Sequence, residues 1–366
     1  MANKISKIIT IVLCVLFVAV FPVAGIILPD LEVSSSERRL LARFPQLSAE
    51  TILNGSFMTD FESYTLDHFP LRDSFRRLKA WAVYDIFRHR DNNGIFLSGD
   101  HAVKSEYPMN SEELSYAAKR FGDVYERFLK DSGASVYYSV IPDKAYFVPE
   151  GAGVLKMDYA ELMNEFSSGM GFAEYIDIFP LLEADDYYTT DTHWRQEEIV
   201  PVAEKLVASM GGELSAEYAL AEADVPFYGV YSGQSALSLE PDSLYYLVGD
   251  AFDAVSVYDF ETASDIPVYD VEKLSGNDPY EVFLSGPKSL LVMENENAAT
   301  ERHLIVFRDS FGSSIAPLMA EAYAKVTLVD IRYLKAEMLG SLVDFENADV
   351  LFLYSTSVLN NGKTIK

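Results

Sequence analysis

Apolar positions fall along this chain in three rhythms, and each rhythm predicts a different kind of element. From Ile8 to Leu28, 21 residues run without a charge, with Lys4 and Lys7 ahead of them. At about 1.5 Å per residue a helix over this run measures roughly 31 Å, enough to cross the hydrocarbon core of a bilayer. Pro22 and Gly25 are tolerated in such a helix. The segment therefore reads as a membrane anchor over residues 1–30. A cleaved signal peptide is the alternative, but the run is long for one. Ala24-Gly25 is also followed by Ile26-Ile27-Leu28, not by a polar mature start.

Helical and strand periods follow. Residues 31–59, polar at Ser34-Ser35-Ser36, read as a juxtamembrane linker, and residues 60–366 as the folded body. Phe69, Leu71, Phe75, Leu78, Trp81, Ala82 and Ile86 make a stripe at helical spacing, which predicts one helix over Glu62 to Arg88. Asn93-Gly94 marks a turn before a short strand at Ile95-Phe96-Leu97. Asn110 with Glu113 resembles an N-cap pair opening a helix to about Leu129. Helices are also predicted over 159–166, 197–210, 315–323 and 335–342. Short, mostly apolar runs predict strands at 134–141, where the strand reads as buried, and at 175–178, 304–307, 326–329 and 350–354. Strands alternating with helices imply an α/β fold with a mostly parallel sheet flanked by helices. Residues 213–300 break that rhythm. Their Tyr, Val and Phe between Gly and Pro turns predict a strand-rich insertion.

Composition changes the picture in two places. The formal net charge is −27, which argues against nucleic acid and anionic lipid as partners of the body. The only cysteine, Cys14, lies in the apolar run, so the body has no thiol for a disulfide, a zinc–thiolate site or a cysteine nucleophile.

Candidate chemistry centres on Asp191-Thr192-His193-Trp194 and on Asp309-Ser310-Phe311 further along. A serine hydroxyl becomes a nucleophile when a base takes its proton, and His193 can be that base. Residues i and i+2 of an extended loop project to one side, so Asp191 can meet the imidazole and fix its tautomer. Trp194 would wall the site or stack on a sugar. Ser310, at a strand-to-helix turn, would gain from backbone N–H groups at the helix start that stabilise an oxyanion. The competing reading makes Asp191 to Trp194 a capping loop and Ser310 an N-cap. Asp67-His68 is a rival acid–imidazole pair whose apolar setting favours structure. No phosphate loop, dinucleotide fingerprint or metal-ligand spacing is present, so neither a cofactor nor a metal is expected.

Residues 187–194, Tyr-Tyr-Thr-Thr-Asp-Thr-His-Trp, resemble the signature of the DHHW family, relatives of the alginate O-acetyltransferase extracytoplasmic subunits with an SGNH-hydrolase-like fold. Residues 67–73, 141–144 and 304–311, the last continued by 329–333, match further family blocks in order. Thr192 stands where the name-giving first His usually is, and Arg195 to Glu198 replace a small, Gly-containing run. The resemblance implies a triad of Ser310, His193 and Asp191, with Trp194, Arg332 and Tyr188 as substrate-binding candidates and Lys144 as a weaker one. It also implies an O-acetyltransferase or acetylesterase acting on extracellular or cell-wall polysaccharide through an acyl-serine. That enzyme would be anchored in the bacterial cell membrane by one span, with its catalytic domain outside the cytoplasm. The implied partners are a polysaccharide acceptor and a membrane-bound O-acyltransferase as acyl donor. The alternative is a non-catalytic glycan-binding or assembly protein on the same scaffold.

Overall fold

The computed structural model describes residues 2–298 and 300–366. The chain divides into two compact units, residues up to 93 together with 232–238, and residues 94–231 together with 239–366.

The first unit holds three main helices, α1 (Ala2–Ile27), α2 (Ser56–Asp67) and α3 (Arg72–Trp81). α1 is long and apolar enough to cross a membrane and is not buried by the protein. The single helix expected over Glu62 to Arg88 is interrupted. It stops at His68, and Leu71 adopts φ 60° before α3 begins. Pro70 is the physical reason, since it lacks an N–H and drives the residue before it out of helical geometry. Residues 31–59, expected as a linker, contain a short strand pair and the helix Ala49–Leu53, opened by a capping box between Ser48 and Thr51. Asp67 accepts both Arg39 guanidinium nitrogens, at 2.8 and 2.5 Å, and these hold its carboxyl down at about 2. His68 bonds the Ala42 carbonyl at 2.9 Å. This acid–imidazole pair is therefore structural.

The second unit is the α/β body. In chain order it has β1 (Ile95–Ser98), β2 (His101–Lys104), α4 (Ser111–Val124), β3 (Ser135–Ile141), α5 (Tyr159–Ser168), β4 (Glu174–Tyr175) and α6 (Val200–Ser209). Then come β5 (Ala219–Phe227), β6 (Asp242–Val248), β7 (Val255–Asp259), β8 (Ser264–Ile266), β9 (Leu290–Asn295), β10 (His303–Arg308), α7 (Gly312–Met319), β11 (Lys325–Val329) and β12 (Asp349–Ser355). Eight strands form one sheet in the order β8-β7-β9-β11-β10-β12-β3-β4. From β11 to β4 all pairings are parallel, whereas β9, β7 and β8 add antiparallel strands at one edge. The stretch expected as a strand-rich insertion is thus strand-rich, but part of it extends the main sheet. β5 and β6 form a separate hairpin.

The mostly apolar strand runs have a simple cause, because both faces of the parallel strands are covered. Leu304 and Val306 of β10 join the core under α6 and α7, whereas Ile305 and Phe307 join the core under α4 and α5. The carboxyl ends of β3, β10 and β12 lie side by side, and the loops leaving them carry the chemistry.

His303 at the start of β10 bonds Thr327 at 2.9 Å, and burial with Lys325 nearby pushes its imidazole down to about 4. An unfolded His titrates near 6.5, so neutral His303 favours the folded state fully above that pH, and the benefit is lost as pH falls from about 6.5 to 4. Replacing His303→Gln should flatten the loss of stability across that window, read by urea unfolding at a series of pH values.

Candidate active site

Two loops build the site. β10 runs into Asp309, Ser310 and Phe311, and α7 follows at once. Asp309 is fully buried, accepting the Phe311 N–H at 3.0 Å and, through its other oxygen, the Ser355 N–H at the end of β12 at 2.8 Å. The turn is thereby tied to the neighbouring strand. Gly312 is required for close approach, since a Cβ there would sit 2.7 Å from the Arg308 side chain. Ser310 is half-buried at the apex. The N–H groups of Phe311, Gly312 and Ser313 are all engaged within the turn, by Asp309 and by the Ser310 carbonyl. The expectation that the start of this helix offers its N–H groups to an oxyanion is not met by these three.

The second loop folds back between Tyr187 and Trp194, with Tyr188 N–H donating to the His193 carbonyl at 3.1 Å. Asp242 accepts the backbone N–H groups of Thr189 and Thr190 at 2.7 and 2.9 Å. Lys144 reaches the same loop from beyond β3, donating to the carbonyls of Tyr188 and Thr189 at 2.8 and 3.1 Å. Burial pushes the Lys144 amine down to about 7, against the pull of Asp191 and Asp242.

At the tip, Asp191, His193 and Ser310 converge. Asp191 Oδ1 lies 2.6 Å from His193 Nδ1, and His193 Nε2 lies 2.8 Å from Ser310 Oγ. A carboxylate can only accept, so the imidazole proton belongs on Nδ1 and Nε2 is left to accept the serine hydroxyl. Asp191 is 1% exposed, and its second oxygen accepts the Val230 N–H at 2.7 Å. Gly229 sits against this acid so closely that a Cβ would fall 2.3 Å from the Thr190 backbone and 2.4 Å from Asp191 Cβ.

Tyr280 lies flat on the His193 ring, with centroids 3.9 Å apart and planes at 11°. Its hydroxyl donates to Ser314 Oγ at 2.9 Å, as does Trp194 Nε1 at 2.8 Å, while Ser314 itself donates to the Phe311 carbonyl at 3.3 Å. One hydroxyl on α7 thus fills its donor and both its acceptor positions. It fixes the wall behind the imidazole. Gln196 adds to this by bonding the Ser314 carbonyl and the Leu247 N–H, at 2.7 and 2.8 Å.

Trp194 and Tyr188 are fully buried, so neither presents a face to a sugar; both pack the loop from behind. Arg332, the remaining candidate, makes a two-pronged pair with Asp330, at 2.9 and 2.6 Å. Tyr280, Ser314, Asp242 and the Gly229-Val230 clamp carry no signal in sequence spacing. Only convergence in the fold identifies them. Among the described residues no group of three or more His, Cys, Asp or Glu side chains is placed to hold a metal ion.

A mostly parallel α/β sheet thus carries a serine, a histidine and an aspartate in hydrogen-bonded series at its strand ends. The solved structures agree at the level of fold. The chain is similar to a DHHW family protein from Eubacterium siraeum, with a TM-score of 0.61 and 19% identity over 75% of this chain and 95% of that one. It is also similar to Bacillus cereus PatB1 in the structure with a sulfonyl adduct, with a TM-score of 0.60 and 21% identity over 72% of this chain and 95% of that one. A second PatB1 structure gives a TM-score of 0.59 and 18% identity over 72% and 96%. No protein-family model matches the sequence, and no curated protein does.

Replacing Ser314→Ala should destabilise the body by about 2 kcal/mol or more, because it leaves the Trp194 and Tyr280 donors buried without an acceptor. Chemical denaturation checks this. A change under about 0.5 kcal/mol would mean the shared hydroxyl holds nothing in place.

Proposed function

We propose that this protein is an envelope-anchored O-acetyltransferase, or a related acetylesterase, acting on polysaccharide through an acyl-serine at Ser310. The observation that carries the reading is the unbroken series from Asp191 through His193 to Ser310, at 2.6 and 2.8 Å. Resemblance to the DHHW family and the shared fold support it.

In the first half-reaction Ser310 Oγ attacks the acyl carbonyl as its proton passes to His193 Nε2. The leaving group departs with that proton, and the acyl group remains on the serine. In the second, an acceptor hydroxyl gives its proton to Nε2 and attacks the acyl-serine, and Ser310 recovers the proton as it leaves. A sugar hydroxyl as acceptor makes the protein a transferase, and water makes it an esterase. Asp191 stays ionised and stabilises the imidazolium each time. The α1 helix serves as the anchor, with the body outside the cytoplasm, so that a membrane-bound O-acyltransferase can deliver the acyl group at the bilayer surface.

Hydrolysis of a chromogenic acetyl ester tests the reading. Activity should vanish in Ser310→Ala and fall by about 10³-fold or more in Asp191→Asn, which holds the imidazole in the wrong tautomer. Full activity in Ser310→Ala, with the fold intact by circular dichroism, would remove the serine from the reaction.

A further inference from the structure

The first unit carries an apolar surface that the reaction does not use. On α3 and the turn before it, Leu71, Leu78 and Trp81 are 68%, 55% and 53% exposed, and Phe75 is 37% exposed. At about 100° per residue these positions span roughly 120° of the helix surface, while the buried Ala80 lies on the other side. α3 is therefore amphipathic with its apolar face turned outward. A solvated helix does the reverse.

The contacts of α1 say what covers this face. Phe21 of α1 is in ring contact with Phe69 at 5.2 Å and with Phe75 at 5.5 Å, and Phe17 lies 6.4 Å from Phe69. Phe21 is seven residues inside the C-terminal end of the uncharged run, which is about 10 Å along a helix. That run is only as long as the hydrocarbon core, so its end lies near the boundary when α1 spans the bilayer. Whatever touches Phe21 then lies below the boundary as well. Charge agrees with this placement. Residues 30–93 carry nine Lys or Arg and ten Asp or Glu, close to neutral in a chain of net charge −27. Arg77 and Lys79, both exposed, flank the apolar face on its two sides, where basic side chains can reach headgroups.

We propose that α3 lies in the membrane interface beside the anchor, its Leu71, Phe75, Leu78 and Trp81 face seated in the outer-leaflet acyl boundary. The occupant of the face is lipid. The inference rests on reading α1 as a membrane span. It makes the membrane-proximal unit a two-point attachment, since one helix crosses the bilayer and a second lies along it.

Trp81 supplies the probe. The chain has two tryptophans, and the other, Trp194, is fully buried in the body. The full chain is reconstituted into phosphatidylcholine vesicles containing lipid spin-labelled either near the headgroup or near the end of the acyl chain. The emission lost in Trp81→Phe isolates the Trp81 component. The expected result is loss of most of that component with the shallow label and a smaller loss with the deep one, Trp194 emission being unchanged. If the protein floats with the vesicles but Trp81 is quenched by neither label, α1 is an anchor and this proposal fails, the face then belonging to a protein partner. If the protein does not float with the vesicles, the anchor reading fails and takes this proposal with it.

Discussion

The candidate site depends on one buried carboxylate. Asp191 is out of water, yet its oxygens are spoken for by the His193 imidazole, the His193 backbone and the Val230 N–H. An ionised group in such a place is tolerable only because these donors replace its hydration. The surrounding structure follows from that requirement. Gly229 is bare of a side chain so that Val230 can approach, Asp242 holds the two threonines ahead of Asp191, and Lys144 pins the same loop from the sheet side. Loosening any of these would leave a buried charge less well solvated and an imidazole less well aimed.

The sheet supplies the second constraint. Ser310 has to meet an imidazole carried by a loop 117 residues earlier, at 2.8 Å. That precision comes from tying the serine turn to β12 through Asp309 and backing the imidazole with Tyr280 and Trp194 on one shared hydroxyl. Tyr280 stacks face to face on His193, where its ring would also favour the imidazolium of the proposed proton transfer. Two donors converging on Ser314 explain why Trp194 packs inside and offers no surface to a ligand.

Much of this was legible in the chain, and the unread parts have physical reasons. The runs at 134–141, 304–307 and 350–354 read as buried strands because both sheet faces are covered, so nearly every position is apolar or aromatic and the runs are too short for a helix. Asp191 and His193 could be paired because a two-residue spacing in extended backbone already puts them on one side. Tyr280 could not be, because nothing local marks an aromatic 87 positions away as the one that lies on the imidazole. The break at His68 to Leu71 was masked by a helical stripe strong enough to hide the effect of Pro70. That stripe is real, but it faces outward, where periodicity alone assigns it to a core. The strands β7 and β9 fell within the expected strand-rich insertion; their antiparallel addition to the main sheet rests on pairing with β11, which nothing local marks.

Under the proposed function, Ser310 is a nucleophile activated by His193. Incubation of the intact protein with an aryl sulfonyl fluoride, followed by peptide mass spectrometry, tests it most directly. One sulfonyl group per chain is expected on Ser310, and none when His193→Ala removes the base. Labelling elsewhere with Ser310 unmodified, or equal labelling of Ser310 without His193, would contradict it.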